Sequence, residues 1–261
     1  MKLQNGTWLV LHKNMSEQFR MEERFLALMA GKSALEEELE QFLYATSHDL
    51  QEPLRNIAEF AALLEVESGP NLSDDAQMCL DYIGKSTVRA RQMIAGLLEL
   101  SRTRRKKPQP VSIKVKEFVQ SLLVERAAAC KTVAMDVDID ESCVITADFD
   151  LLSTVLSKLL DNALTYRRSD ADHEVSITAA RKRNRLEISV VDNGIGFDPI
   201  YQGEIFTIFR RLVPRSRYPG VGVGLSIAQA AARAMNGTVY SEGRPNKTVF
   251  ALSIPYSARH P

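Results

Sequence analysis

The sequence predicts two architectures in series, an all-α helical hairpin followed by an α+β sandwich. Three observations carry this. Leu39, Phe42, Thr46, Leu50, Leu54, Ile57, Ala61 and Leu64 recur at steps of three and four residues, the stripe of an amphipathic helix. A strict heptad follows in Ala76, Leu80, Ile83, Thr87, Ala90, Ile94, Leu97 and Ser101, whose spacing favours coiled-coil-like packing. From about residue 111, short apolar runs interleave with helical segments without strict β-α-β alternation.

Residues 1 to 14 carry no pattern, and residues 16 to about 67 have helix-forming composition with little Gly or Pro. Ser68-Gly69-Pro70-Asn71 is turn chemistry, and Ser73 is placed to cap a second helix with Asp74 and Asp75 in its positive first turn. Charge and proline between Arg102 and Pro110 end that helix. Two helices cannot bury both stripes alone. Pairing two hairpins into a four-helix bundle solves this, which predicts a homodimer; packing of the hairpin on the chain's own second half is the alternative. Further on, helices are predicted over Val115 to Cys130, Phe149 to Tyr166 and Leu225 to Met235. Strands are predicted over Val133 to Ile139, Cys143 to Ala147, His173 to Arg181, Arg185 to Asp192, Thr238 to Ser241 and Thr248 to Ile254.

Composition excludes several classes. Thirty-three basic and 33 acidic residues give zero formal net charge, so no overall field attracts nucleic acid or an acidic membrane. Three scattered cysteines form no CxxC pair, suggest neither a disulfide framework nor a zinc site, and fit a reducing cytoplasm. No run approaches the ~18 apolar residues of a spanning helix, so no membrane insertion is expected.

The segment FLYATSHDLQEPLR, residues 42 to 55, sets His48 beside Asp49 and places Pro53 one turn later. At ~100° per residue His48 falls far round the helix from the apolar stripe. Pro53 lacks an N–H, so the helical bond to the Asp49 carbonyl is missing and the helix can kink there.

Two glycine clusters follow. Asp192-Asn193-Gly194-Ile195-Gly196 comes directly after a hydrophobic strand. A carboxylate there can accept from an exocyclic amine such as that of adenine, or simply cap a hairpin. Gly220-Val221-Gly222-Val223-Gly224-Leu225 precedes a helix, where free N–H groups suit phosphates; plain turns share this pattern. The basic stretch Arg215 to Pro219 before it reads as a lid or as a surface loop. Asn162 faces the same way as Lys158, and its amide oxygen suits Mg²⁺ carried by a triphosphate.

Taken in order, His-Asp on a hairpin, Leu-Leu-Asp-Asn-Ala, Asp-x-Gly-x-Gly, Ile-Phe-x-x-Phe-x-Arg and Gly-x-Gly-x-Gly-Leu resemble the H, N, G1, F and G2 boxes of sensor histidine kinases. The stretches SHDLQEPLR and EIFTIFRRLVPRSRYPGVGVGLSIA look especially similar to phytochrome-type kinases, and the resemblance covers roughly residues 40 to 256. It implies an N-terminal linker and signalling helix over 1–38, a dimerisation and phosphotransfer domain over 39–108, and an ATP-binding domain of the gyrase, Hsp90 and histidine-kinase type over 109–258. ATP would phosphorylate His48, with Asp49 handling the imidazole proton, and the phosphoryl group would pass to an aspartate of a response-regulator receiver domain. Asp192 would meet the adenine amine, with Gly194 and Gly196 allowing close approach, and Tyr166 would pack on base or ribose. Asn162 would ligate Mg²⁺. Gly222, Gly224 and Leu225 would flank the phosphates, Arg210 or Arg211 would meet the γ-phosphate, and Phe206 and Phe209 would anchor the lid.

The sequence departs from the family at three places. Lys158 stands where the N box begins with asparagine, Thr165 where a lysine is frequent, and Glu52 where a Thr or Asn positions water for dephosphorylating the regulator. The first two motivate an alternative, a degenerate kinase acting as a dimeric phosphotransfer or scaffold protein. A gyrase-like ATPase clamp is disfavoured, because no Glu stands at Lys158 to activate water.

Overall fold

The computed structural model describes residues 31, 46–47, 49–68, 72–126, 130, 132–214 and 217–256. The chain divides into two units, Met1–Leu50 and Gln51–Pro261. In the first, Thr46, Ser47, Asp49 and Leu50 are helical; His48, Leu39 and Phe42 lie outside the described residues.

The second unit opens with a helix over 51–68 (α1) that runs unbroken through Pro53. Helix α2, Asp74–Arg105, is capped as its sequence predicts: the Ser73 hydroxyl accepts from the Ala76 N–H at 3.3 Å. Gln77 donates to Glu65 of α1 at 2.8 Å. Within one chain the stripe of α1 is poorly covered. Leu54 is half-buried and Ala61 buried, whereas Ile57 and Leu64 are exposed beside Phe60 and Leu63.

α2 also has a second buried face that its heptad does not announce, formed by Gly96, Leu100 and Thr103. This face meets the helix Gly224–Ala234 (α5), where Leu100 clusters with Val223, Ile227 and Ala230. So part of the hairpin does pack on the chain's own second half, while the exposed apolar side chains of α1 remain uncovered.

The α+β part holds two sheets. Strands β1 (Pro110–Lys114) and β3 (Val144–Asp148) form an antiparallel pair, with Ile113 opposite Ile145. The larger sheet has the order β2-β4-β5-β7-β6, from Val133–Asp138 (β2), His173–Lys182 (β4), Arg185–Asp192 (β5), Thr238–Arg244 (β6) and Lys247–Pro255 (β7). Only the β2–β4 pairing within it is parallel. The helices α3 (Val115–Glu125) and α4 (Phe149–Thr165) complete the domain with α5.

Period-two burial along β5 sends Leu186, Ile188 and Val190 into the core. There they join Leu152, Val155, Leu156 and Leu159 from the apolar face of α4 and Ala228, Ala231 and Ala232 from α5. Each such large side chain removed from water is worth about 1.5–3 kcal/mol.

Three elements differ from expectation by more than one residue. β1 was unforeseen: it opens on proline and buries only Ile113. α3 ends at Glu125, where the Arg126 N–H turns back to the Leu123 and Val124 carbonyls; residues 127–129 of the expected helix lie outside the described residues, and Cys130 is helical. β6 runs three residues beyond Ser241, paired with β7 as far as Arg244.

Candidate nucleotide site

A cavity of about 290 Å³ opens between α4, the end of β5 and the start of α5. Apolar side chains, Ile195, Phe197, Ile205 and Phe250 among them, line one part of it. Asp192, Asn162 and Lys158 bring polar groups to the rest.

Asp192 closes β5 and is only 4% exposed. Its register partner on β7 is Thr248, which also lines the cavity. Burial pushes the Asp192 carboxyl up to about 6, against the opposing pull of the Gly194 N–H and the Thr248 hydroxyl. The Gly194 N–H donates to Oδ1 at 2.9 Å. Gly194 does not line the cavity but lies tight behind it: a Cβ there would stand 2.3 Å from the Tyr166 carbonyl oxygen and 2.6 Å from Asp192 Oδ1. The site therefore requires glycine at that point.

α4 ends at the cavity. Lys158, Asp161, Asn162 and Thr165 line it, and Tyr166 is the C-cap residue. The Asp161 carboxylate accepts from Arg126 Nε at 2.9 Å. Asn162 is half-buried and offers an amide oxygen, a hard donor of the kind Mg²⁺ takes when phosphates and water supply its other ligands.

Opposite, α5 begins at Gly224 with no side chain capping its first N–H groups. Those amides and the helix dipole favour an anion. Between β5 and β6 the chain runs through turns to α5, and several side chains tie its described residues down. Phe206 packs on the main core and Phe209 on the Leu100 cluster, as anchors. The Arg211 guanidinium donates to the carbonyls of Gly220 and, at 2.7 Å, of Tyr218. The Tyr218 hydroxyl donates to the Arg167 carbonyl at 2.7 Å, with its ring 5.3 Å from that of Tyr166. Arg210 lines the cavity and pairs with Glu204 at 2.5 Å.

Of the residues singled out from the sequence, Asn162, Tyr166, Asp192, Gly196, Arg210, Gly222, Gly224 and Leu225 all line this one cavity. Asp49 is helical and exposed, in the other unit. Thr248 was missed; its only signal was its place at the start of a strand. Arg211 is thus held by two loop carbonyls and Arg210 by the Glu204 carboxylate.

Two family profiles match the chain. One is the His Kinase A (phospho-acceptor) domain over residues 38–106; the other is the histidine kinase-, DNA gyrase B-, and HSP90-like ATPase over residues 147–258. Among curated relatives, the phytochrome-like protein Cph1 of Synechocystis is 27% identical over 237 residues, covering 90% of this chain and 32% of that protein. The sensor-like histidine kinase SenX3 of Mycobacterium tuberculosis is 30% identical over 224 residues, covering 82% of this chain and 53% of that protein. The chain thus spans about a third of the length of Cph1 and about half that of SenX3. In fold it is similar to full-length ShkA in complex with AMPPNP, with a TM-score of 0.62 at 20% identity over 85% of this chain and 47% of that one. It is also similar to the Acinetobacter baumannii histidine kinase AdeS, with a TM-score of 0.58 at 16% identity over 78% of this chain and 95% of that one. A phosphoacceptor helical domain followed by an ATPase domain, matched in that order, places this chain in the sensor histidine kinase family as its catalytic core.

Proposed function

We propose that this chain is an ATP-dependent protein-histidine kinase that phosphorylates its own His48 and passes the phosphoryl group to a response-regulator aspartate. The cavity carries this reading, since it sets a buried carboxylate, an amide oxygen and the uncapped start of a helix around one space. That combination suits adenine at one end and a metal-bound triphosphate at the other.

Asp192 accepts from the adenine amine, Gly194 and Gly196 let the base lie close, and Tyr166 packs beside it. Asn162 offers its oxygen to Mg²⁺. The backbone at Gly222, Gly224 and Leu225 meets phosphate oxygens, and Arg210 turns from Glu204 to the γ-phosphate. ATP supplies the transferable phosphoryl group; the protein's part is positioning and charge neutralisation. The nucleophile is the His48 imidazole, whose proton Asp49 holds. Both fall within the matched phosphoacceptor segment, 38–106.

The reading extends to a homodimer in the cytoplasm. The exposed Ile57, Phe60, Leu63 and Leu64 give α1 an apolar surface that a second hairpin would cover. Among the described residues no helix is long and apolar enough to cross a membrane. Residues 1–38 serve as a linker and signalling helix, 39–108 as the dimerisation and phosphotransfer domain, and 109–258 as the ATP-binding domain.

Incubation with γ-labelled ATP and Mg²⁺ tests the proposal. Acid-labile label on the wild type, lost in His48→Ala, is the expected result. The presence of Lys158 in the cavity wall motivates the second reading, a degenerate phosphotransfer or scaffold protein. Label that reaches the protein only from a phosphorylated regulator establishes that reading instead.

A further inference from the structure

Lys158 lines the cavity one turn before Asn162, yet its charge is engaged elsewhere. Its ammonium lies 2.7 Å from Glu99 Oε1 on α2, with the two side chains 25% and 44% exposed. Its Cδ is 3.8 Å from the point where a Cβ on Gly224 would stand, so the lysine stem runs beside the first residue of α5. The uncapped N–H groups of α5 favour an anion at that place.

Glu99 belongs to the stretch of α2 that docks on α5. Gly96, Leu100 and Thr103 around it are the buried residues of that face. A lysine on a flexible four-carbon stem with three rotatable donors can change partners without moving its backbone. The bond to Glu99 is partly exposed, hence weakly held. A triphosphate brings several charges against the single charge of one carboxylate.

We infer that Lys158 is a phosphate ligand held in reserve by Glu99, so that a nucleoside triphosphate and the docked α2 compete for one ammonium. The inference rests on the nucleotide reading of the cavity. Binding of phosphate weakens the dock, and by reciprocity the dock weakens phosphate binding by the same factor. The residue that departs from the family pattern thereby couples nucleotide occupancy to the helix that precedes the ATPase domain.

The test is titration calorimetry of the full chain with ATP, ADP and adenosine. Glu99→Gln is expected to tighten ATP about 2- to 5-fold and leave adenosine unchanged. Lys158→Gln is expected to weaken ATP roughly 10-fold, also sparing adenosine. In the double variant the gain from Glu99→Gln disappears, because the shared ammonium is gone. In a Leu100→Cys chain, thiol labelling at position 100, followed by peptide mass, is expected to quicken with ATP and not with adenosine. An unchanged ATP affinity in Glu99→Gln overturns the inference, as does an equal shift for ATP and adenosine, which marks a merely structural pair. Wild-type protein that binds none of the three ligands overturns the nucleotide reading itself.

Discussion

Asp192 and Thr248 face each other across the β5–β7 register, and the threonine hydroxyl is a hydrogen-bond donor to a carboxylate that burial has made reluctant to ionise. The carboxyl titrates at about 6. An adenine amine needs the ionised form as acceptor, so adenine-nucleotide affinity is expected to fall as pH drops below about 6. Asp192→Asn weakens binding and flattens this dependence; fluorescence titration between pH 5 and 8 checks both. The stability effect has the opposite sense. A carboxyl raised above its unfolded value of about 3.9 destabilises the fold as pH rises through that value towards 6, by up to about 3 kcal/mol. Asp192→Asn should therefore melt higher than wild type at pH 7, and the gap should shrink at pH 5.

Gly96 sets the approach of α2 to α5. A Cβ at that position would stand 2.5 Å from Val223 Cγ1. Gly96→Leu is expected to loosen the dock and cost about 1–3 kcal/mol by overpacking. Gly96→Ala paired with Val223→Ala should recover most of the loss of Gly96→Ala alone. Thermal unfolding of the series measures it.

Asp148 is a buried junction. It caps α4 through the Leu151 N–H, accepts from the Gln109 N–H at 2.8 Å, and meets Lys106 Nζ at 3.1 Å. Burial raises its carboxyl, but those three donors outweigh it and hold the group below the usual carboxylate range. Its contribution is thus complete above the unfolded value, about 3.9, and is lost as pH falls towards the lowered folded value. Asp148→Ala should cost about 2–4 kcal/mol at pH 7, through the lost cap and the stranded donors. Urea unfolding at pH 7 and pH 3 should show the difference between variant and wild type narrowing in acid.

Glu52, exposed on α1, stands where the family resemblance implies a Thr or Asn that positions water. If the proposed phosphotransfer to a regulator holds, the chain is expected to dephosphorylate that regulator slowly, and Glu52→Thr should raise the rate several-fold. Decay of acyl-phosphate label on the regulator reads it directly. Rapid wild-type decay that a Glu52 change blocks contradicts the expectation.

Elements with strong local signals were legible. β5, bounded by Asn184 and the Asp192 cluster, is found at its expected limits, and Ser73 caps α2 as its type and place require. The cavity was legible because its parts come from glycine clusters and a helix end, where residue type limits what the backbone can do. Three features were not. β1 offers one buried side chain, too few for a period. Thr248 acquires its role only through cross-strand register, which no local pattern encodes. The second face of α2 is built from Gly96, Leu100 and Thr103, of which only leucine looks apolar in a sequence.

The Lys106–Asp148 junction has a mechanical consequence. α4 is 17 residues long, about 25 Å at 1.5 Å per residue. Asp148 and Asp150 at its first turn are gripped by the lysine that ends α2, while Asn162 and Tyr166 stand at its far end. α4 is then a stiff lever with its fulcrum at the end of α2 and its tip in the cavity. A small twist applied at the fulcrum displaces the tip without any loop having to fold or unfold.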